Sequence, residues 1–276
     1  MDCDFISLAE YGLESAADLL TRGFADYFVS IPCTAAGLLE MAQTDSVDLT
    51  ASRVVRRKGI AVGAGLIARR GWTSRLAGMA LVPESRRRGV GRALVECLLA
   101  DARARAERMM VLEVIEQNGP AVKLYEACGF RRIRRLVGFS AIPTDPGALA
   151  TDLAEIDPRE VAVAIATHGL RDLPWQLSGE TVAQFGPPAV AYRWRGAWVA
   201  LSNPAAPQVA IRALVTENSE QGRDRSIELL RMVMAKHPGK EWRISALWPE
   251  ELSDVFVTAG FTRTTLSQWQ MARELA

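Results

Sequence analysis

The hydrophobic positions of the chain fall into short blocks whose period switches along the sequence, most sharply between Leu76 and Phe130. Leu76 to Val82 is a continuous apolar run closed by Pro83, which cannot donate to a sheet ladder, so it predicts a buried strand ending there. After a basic, glycine-containing turn, apolar residues recur at Leu94, Val95, Leu98, Leu99 and Ala102, one face of an amphipathic helix. Met109 to Glu116 predicts a second buried strand, stopped at Asn118-Gly119-Pro120. A helix over Ala121 to Ala127 follows, with Gly129 as its left-handed cap. Phe130 begins another strand, with Leu136 to Ser140 as its neighbour. Upstream, helical spacing over Ser15 to Arg22 and Thr34 to Gln43 is broken at Ile31-Pro32. Phe24, Tyr27 and Phe28, at near-helical spacing, read as core aromatics. Arg53 to Lys58 and Gly59 to Arg69 predict two strands.

The second half repeats the first. CGFRRIRRLVGFS from Cys128 is echoed by AGFTRTTLSQWQM from Ala259, and GVGRALVECLL from Gly89 by GRDRSIELL from Gly222. Ala189 to Trp194 and Ala197 to Leu201 predict a hairpin around Arg195-Gly196, and Val209 to Val215 the strand before the second loop. Two copies of one fold are implied. Pro143, Asp145, Pro146 and Asp157-Pro158 mark a linker, giving domains at 1–142 and 159–276 joined by 143–158.

With 276 residues, 49% hydrophobic and 24% charged, the chain can bury two ordinary cores. Net charge is +1, yet residues 1–140 hold 20 Lys/Arg against 16 Asp/Glu and the remainder 13 against 16. Basic clusters at Arg53, Arg56, Arg57 and Lys58 and at Arg131, Arg132, Arg134 and Arg135 read as solvated or phosphate-facing. A pI near 7.7, with no interleaved stacking aromatics, argues against nucleic acid. Cys3, Cys33, Cys97 and Cys128 lack metal-ligand spacing, and Cys97 and Cys128 read as small buried hydrophobes. No metal site is expected. The acidic N-terminus has no signal-peptide core and no apolar run is long enough to cross a bilayer, so a cytoplasmic chain without membrane association is expected.

The turn between the first strand and helix carries the chemistry. Arg86, Arg87, Arg88, Gly89, Val90, Gly91 and Arg92 place free helix-start N–H groups, the positive end of the dipole and guanidinium groups together, a site for a pyrophosphate-like anion. The spacing is neither a Walker A loop nor a dinucleotide fingerprint. In the second copy the matching stretch is Ser219, Glu220, Gln221, Gly222, Arg223, Asp224, and its two carboxylates would repel such an anion.

The pattern [Q/R]-x-x-G-x-[G/A] at Arg86 to Gly91, then LEV at Leu112 and N-x-x-A-x-x-L-Y-E-x-x-G-F from Asn118, resembles the GNAT (Gcn5-related) N-acetyltransferase superfamily. The resemblance implies an α/β chain of two tandem GNAT-like domains, each a mixed, mostly antiparallel sheet with helices on both faces, the C-terminal copy degenerate. It also implies acetyl-CoA as cosubstrate, its pantetheine arm between the two buried strands like an added strand. Met79, Ala80, Leu81 and Val82, with Arg86 to Arg92, Ala93, Asn118 and Tyr125, would bind it, and backbone N–H groups near Met79 to Leu81 would stabilise the oxyanion. Tyr125 would be the general acid, replaced by Phe256 in the second copy. The stretch from Leu112 is similar to that of bacterial ribosomal-protein alanine acetyltransferases, which implies Glu113 as base. An exposed strand-end carboxylate or an ion pair is the plainer reading of Glu113, and alternation turns Glu116 to the opposite face. The expected reaction is acetyl transfer to a primary amine of a small molecule by direct attack in a ternary complex, in a monomer or homodimer. A protein or peptide acceptor, or a non-catalytic acyl-CoA-binding regulatory module, are the alternatives.

Overall fold

The computed structural model describes residues 3–29, 33–143 and 152–275. They group into two compact units. One holds the described residues up to Val114, then Asn118–Ile133 and the chain from Gln270; the other holds Ile115–Gln117 and Arg134–Trp269.

In the first unit the order is β1 (Cys3–Ser7), α1 (Leu8–Tyr11), α2 (Leu13–Gly23), α3 (Ala35–Thr44), β2 (Val47–Arg57), β3 (Ile60–Arg70), β4 (Thr73–Leu81), α4 (Val90–Ala104), β5 (Met109–Ile115) and α5 (Gly119–Ala127). Strands β1 to β4 pair antiparallel in sequence order, β4 pairs β5 in parallel, and the chain end returns beside β5, where Leu275 N–H donates to Arg108 O at 2.9 Å. Helices cover both faces because β4 is apolar on both. Ala80 lies against Gly23 at the end of α2, while Met79 and Leu81 lie against Gly91 of α4. The α4 stripe Leu94, Val95, Leu98, Leu99 and Ala102 is buried as its spacing predicts. Gly65 of β3 makes room for it, since a Cβ there would stand 2.8 Å from Leu98 Cδ1.

The chain continues as β6 (Arg131–Ala141), β7 (Ala154–Ile156), α6 (Pro158–His168), α7 (Gly179–Val182), β8 (Val190–Trp194), β9 (Ala197–Leu201), β10 (Gln208–Thr216), α8 (Gly222–Lys236), β11 (Glu241–Pro249), α9 (Ser253–Ala259) and β12 (Thr262–Glu274). Strand order in the second unit is β12-β6-β11-β10-β9-β8-β7, with β10 and β11 parallel. Its core centres on Phe256, whose ring lies 5.1 Å from Phe139 and 5.0 Å from Trp248. The predicted hairpin is present, and Arg195 and Gly196 take the two positive φ values, 45° and 73°, that a tight hairpin turn requires.

The order β2-β3-β4-α4-β5-α5 of the first copy recurs in the second as β8-β9-β10-α8-β11-α9. Helices α4 and α8 both have 15 residues, each following a strand of 9. Phe130 N–H donates to Tyr125 O at 3.0 Å, and Phe261 N–H to Phe256 O at 3.0 Å, past glycines at φ 84° and 106°. Each is an α/β unit with a mixed, mostly antiparallel sheet.

Three expectations change. Phe130 and Leu136 to Ser140 do not start two neighbouring strands; β6 is one strand of 11 residues, with no turn sequence to fold it back. The units do not follow a linear cut at 142, because β6 and β12 each contribute residues to both. Within 143–158, β7 pairs antiparallel with β8, and residues 144–151 lie outside the described residues.

Gly138 of β6 has no room for a side chain, since a Cβ would lie 2.8 Å from Ile244 O and 2.9 Å from Ala246 N of β11. Gly138→Ala is therefore expected to destabilise by about 1–3 kcal/mol. Gly186→Ala, where nothing lies within 4 Å, should stay within about 0.5 kcal/mol of the parent. Urea midpoints at unchanged m-value measure both.

Candidate active site

The site begins where two parallel strands part. β4 and β5 pair from Thr73 with Met109 to Leu76 with Leu112, and the register ends there, leaving Ala77–Leu81 and Glu113–Ile115 to diverge. Val82 N–H donates to Val62 O on the β3 side at 3.0 Å, so alternation turns the N–H groups of Met79 and Leu81 toward the gap.

The helix that follows has an open start. Gly89 is the N-cap of α4 at φ 78°, no side chain caps it, and Arg87 is also left-handed at φ 58°. Such alternation is the backbone of an anion-binding nest. Val90 and Gly91 are buried, and a Cβ on Gly91 would stand 3.3 Å from Leu124 and Met79 side chains, so this turn packs directly on the parting strands. Ala93 is half-buried behind it. Arg87 and Arg88 are exposed.

Two arginines expected among the anion contacts are used otherwise. Arg86 donates from Nε to Leu81 O at 3.1 Å and from Nη2 to Gly23 O at 2.9 Å, tying the loop to β4 and to the end of α2. Arg92 pairs with Glu96 one turn along α4 at 2.7 Å. The basic clusters are likewise engaged. Arg53 pairs with Asp101, Arg56 with Asp4, Arg132 with Glu126, Arg134 with Glu251, and Arg135 with Glu116 and Glu250. Apart from Glu126, six residues before Arg132, these partners lie far away in sequence, which is why the linear chain shows mainly the positive charge.

Tyr125 sits on α5 with its ring edge-on to Phe130 at 5.9 Å and its Oη 4.0 Å from Met79 Sδ. The side chain is 8% exposed, and burial, with Tyr27 nearby, holds the phenol pKa well above its ordinary value. Asn118 caps α5, Oδ1 accepting from Ala121 N–H at 3.3 Å, and shares a side-chain hydrogen bond with Tyr27. Sequence reasoning placed Tyr27 in the core. Instead Phe24, Tyr27 and Phe28 form an edge-to-face ladder at 5.2 and 5.6 Å in the turn beyond α2, with Phe28 50% exposed. The helix stops at Gly23, so the helical spacing of these aromatics has no helix beneath it.

Glu113 forms an ion pair. Its Oε2 accepts from Arg75 Nε at 2.8 Å, the two side chains being 3% and 6% exposed, while Glu113 Oε1 and Arg75 Nη1 have no hydrogen-bond partner among the described residues. Arg75 gave no sequence signal. Glu116 turns away to Arg135 and Ser267. None of the four cysteines is in a disulfide; Cys128 is buried and Cys97 half-buried, and desolvation raises both thiol pKa values, which suits packing rather than nucleophilic roles.

The sequence model of the acetyltransferase (GNAT) family matches residues 28–130, the span that builds this site. That match covers about two fifths of the chain, all of it in the first copy. Solved structures extend the likeness to the whole chain. A GCN5-related N-acetyltransferase from Sphaerobacter thermophilus superposes with a TM-score of 0.70 at 14% identity, covering 99% of this chain and 96% of that one. A tandem GNAT protein from the clavulanic acid biosynthesis pathway gives 0.65 at 18%, covering 99% of both. One from Kribbella flavida gives 0.65 at 19%, covering 99% of this chain and 72% of its own. No curated protein matches. The whole chain thus shares the fold of these structures, one of them a tandem GNAT protein. Among the described residues no helix is long and apolar enough to cross a membrane.

In the second copy the loop chemistry is gone. No described residue from Glu217 to Gly222 has positive φ, and Gln221 at the head of α8 is right-handed. A Cβ on Gly222 would stand 2.9 Å from Glu217 O and Thr216 Oγ1, so the backbone there is closed over.

Breaking one side of the Arg75–Glu113 pair leaves a buried charge unmatched. Glu113→Gln or Arg75→Met alone should cost about 3–5 kcal/mol, whereas Arg75→Met with Glu113→Leu should cost much less than their sum. A double-mutant cycle in urea measures it.

Proposed function

We propose that the chain is an N-acetyltransferase that moves the acetyl group of acetyl-CoA to a primary amine of a small molecule by direct attack in a ternary complex. The observation that carries this reading is the Tyr125 hydroxyl beside Met79 where β4 leaves β5. The residues fit the cosubstrate: the parted strands expose unpaired backbone, and the uncapped start of α4 carries a nest and two exposed arginines.

On this reading the N–H groups from Arg87 to Gly91, with Arg87 and Arg88, hold the pyrophosphate. Met79 and Leu81 hold the pantetheine arm through backbone groups that face the gap, whereas Ala80 and Val82, expected among the contacts, turn theirs to β3, and Asn118 keeps the turn after β5 in place. Arg86 and Arg92 support the loop through the protein bonds described above, and Ala93 packs behind it. Acetyl-CoA supplies a thioester, an activated acyl group with a thiolate leaving group. Met79 and Leu81 N–H groups donate to the carbonyl oxygen as negative charge develops there. Tyr125, kept protonated by its burial, gives its proton to the departing sulfur. An amine with a pKa of about 10.4 must first lose a proton. Glu113 Oε1, the carboxylate oxygen left without a hydrogen-bond partner by Arg75, is the acceptor we assign. The exposed Phe28 and half-buried Tyr27 offer the amine's carbon skeleton an aromatic wall.

Calorimetry should find one acetyl-CoA site per chain. Gly89→Glu, which adds a carboxylate at a residue with φ 78°, should abolish it, and Gly222→Glu should leave it intact. Two sites would show that the second loop is competent after all.

Tyr125→Phe should keep acetyl-CoA affinity, since Phe256 packs at the equivalent place without a hydroxyl, and lower kcat by about 10²–10⁴-fold on an amine library. An unchanged kcat would remove Tyr125 as the acid.

A further inference from the structure

The second copy keeps a cleft after losing the groups that would make it catalytic. β10 and β11 pair in parallel only from Gln208 with Glu241 to Ala210 with Arg243, then part as β4 and β5 do. The parting holds a cavity of ≈ 160 Å³. Its apolar wall includes Leu177, Ala213, Val215, Trp248, Val255 and Phe256. Its polar groups are few: Thr216 and Asn218 at the end of β10, Ser226 on α8 and His168 at the end of α6. The His168 ring is itself stacked on Trp198 at 5.9 Å.

Buried core residues form its floor and the exposed Leu170 and Asn218 its rim, so it is an apolar pocket that a small molecule can enter from solvent. An engineered apolar cavity of about 150 Å³ accepts benzene. Among the described residues no Asp, Glu, Lys or Arg lines this one, so an ammonium entering it would be desolvated without an ionic partner, and a carboxylate would meet only the His168 ring already stacked on Trp198. The coenzyme is excluded on separate grounds. The closed backbone at Gly222 leaves no nest for a diphosphate, and the two arginines at the start of α8 are taken by carboxylates, Arg223 by Asp224 and Asp254 and Arg225 by Glu217. The hydroxyls of Thr216 and Ser226 and the amide of Asn218 provide for one hydrogen-bonding group on an otherwise apolar occupant.

We propose that this cavity is a binding site for an uncharged, compact, mostly apolar molecule of about six to ten non-hydrogen atoms bearing one hydrogen-bonding group. The site stands independently of acetyl transfer by the first copy.

Phenol is the probe, titrated into the full-length protein and followed by methyl NMR. Expected are saturable one-site shifts centred on Leu177, Val215, Leu252 and Val255, with benzene about tenfold weaker for want of the hydrogen bond. Benzoate, the same ring carrying a charge, should bind at least about tenfold more weakly than phenol. Ala213→Phe and Val255→Phe fill the cavity from different walls, and phenol binding should be lost in whichever still melts cooperatively. Absence of saturation at millimolar phenol, benzoate binding as tightly as phenol, or shifts outside the lining residues would overturn the proposal. The comparison of phenol, benzene and benzoate uses the unaltered protein, so it decides the matter even if both variants unfold.

Discussion

A pair of parallel strands that cannot stay paired is the constraint on which the first copy depends. Backbone N–H and C=O groups inside a protein need partners. Where β4 leaves β5 after Leu76 and Leu112, those on the facing edges have none from the sheet. The neighbouring elements hold the parting open. Gly91 brings the first turn of α4 onto Met79 and Leu81, Asn118 fixes the turn after β5, and Arg86 clamps Leu81 O and Gly23 O. An extended ligand arm that bonds through its amides suits such an edge, and an anion at one end of it suits the open start of α4.

The second copy separates what the fold needs from what chemistry needs. It retains the short parallel pairing, the helix of 15 residues and the hydrogen bond from Phe261 to Phe256 that mirrors Phe130 to Tyr125. It lacks left-handed residues in the loop before α8, and it lacks the hydroxyl at Phe256. Packing explains the retained set, because each member supports a core that would otherwise open. On the proposed reading the lost set serves only an anion and a proton transfer, and the second core is closed without it. A cavity at the old parting shows that losing the chemistry did not require filling the space.

Arginine does structural work throughout. Most of its pairs are half-exposed and worth at most about 1 kcal/mol each. Arg75 and Glu113 differ because both are buried, so their pair matters less for net stability than for the penalty of disturbing one side. That makes Glu113 a carboxylate whose charge is held in place by a fixed neighbour.

Local patterning by itself determined the strand, loop and helix at Leu76 to Ala102, the hairpin at Arg195-Gly196, the cap at Gly129 and the duplication. Each rests on residue spacing or on a backbone angle that only certain residues adopt comfortably. The family resemblance came from the same continuous stretch and so was legible too. Only tertiary structure decided the rest. Glu113 was legible as a candidate but Arg75 as its partner was not, since the two meet across neighbouring strands 38 residues apart in sequence. The basic clusters looked unpaired because their carboxylates lie on other elements. Phe24, Tyr27 and Phe28 have the spacing of a buried helix face, and only the end of α2 at Gly23 shows them in a turn beside Asn118. Periodicity records which local shape a segment prefers; which segments then touch depends on how the strands are ordered, and that is a property of the assembled sheet.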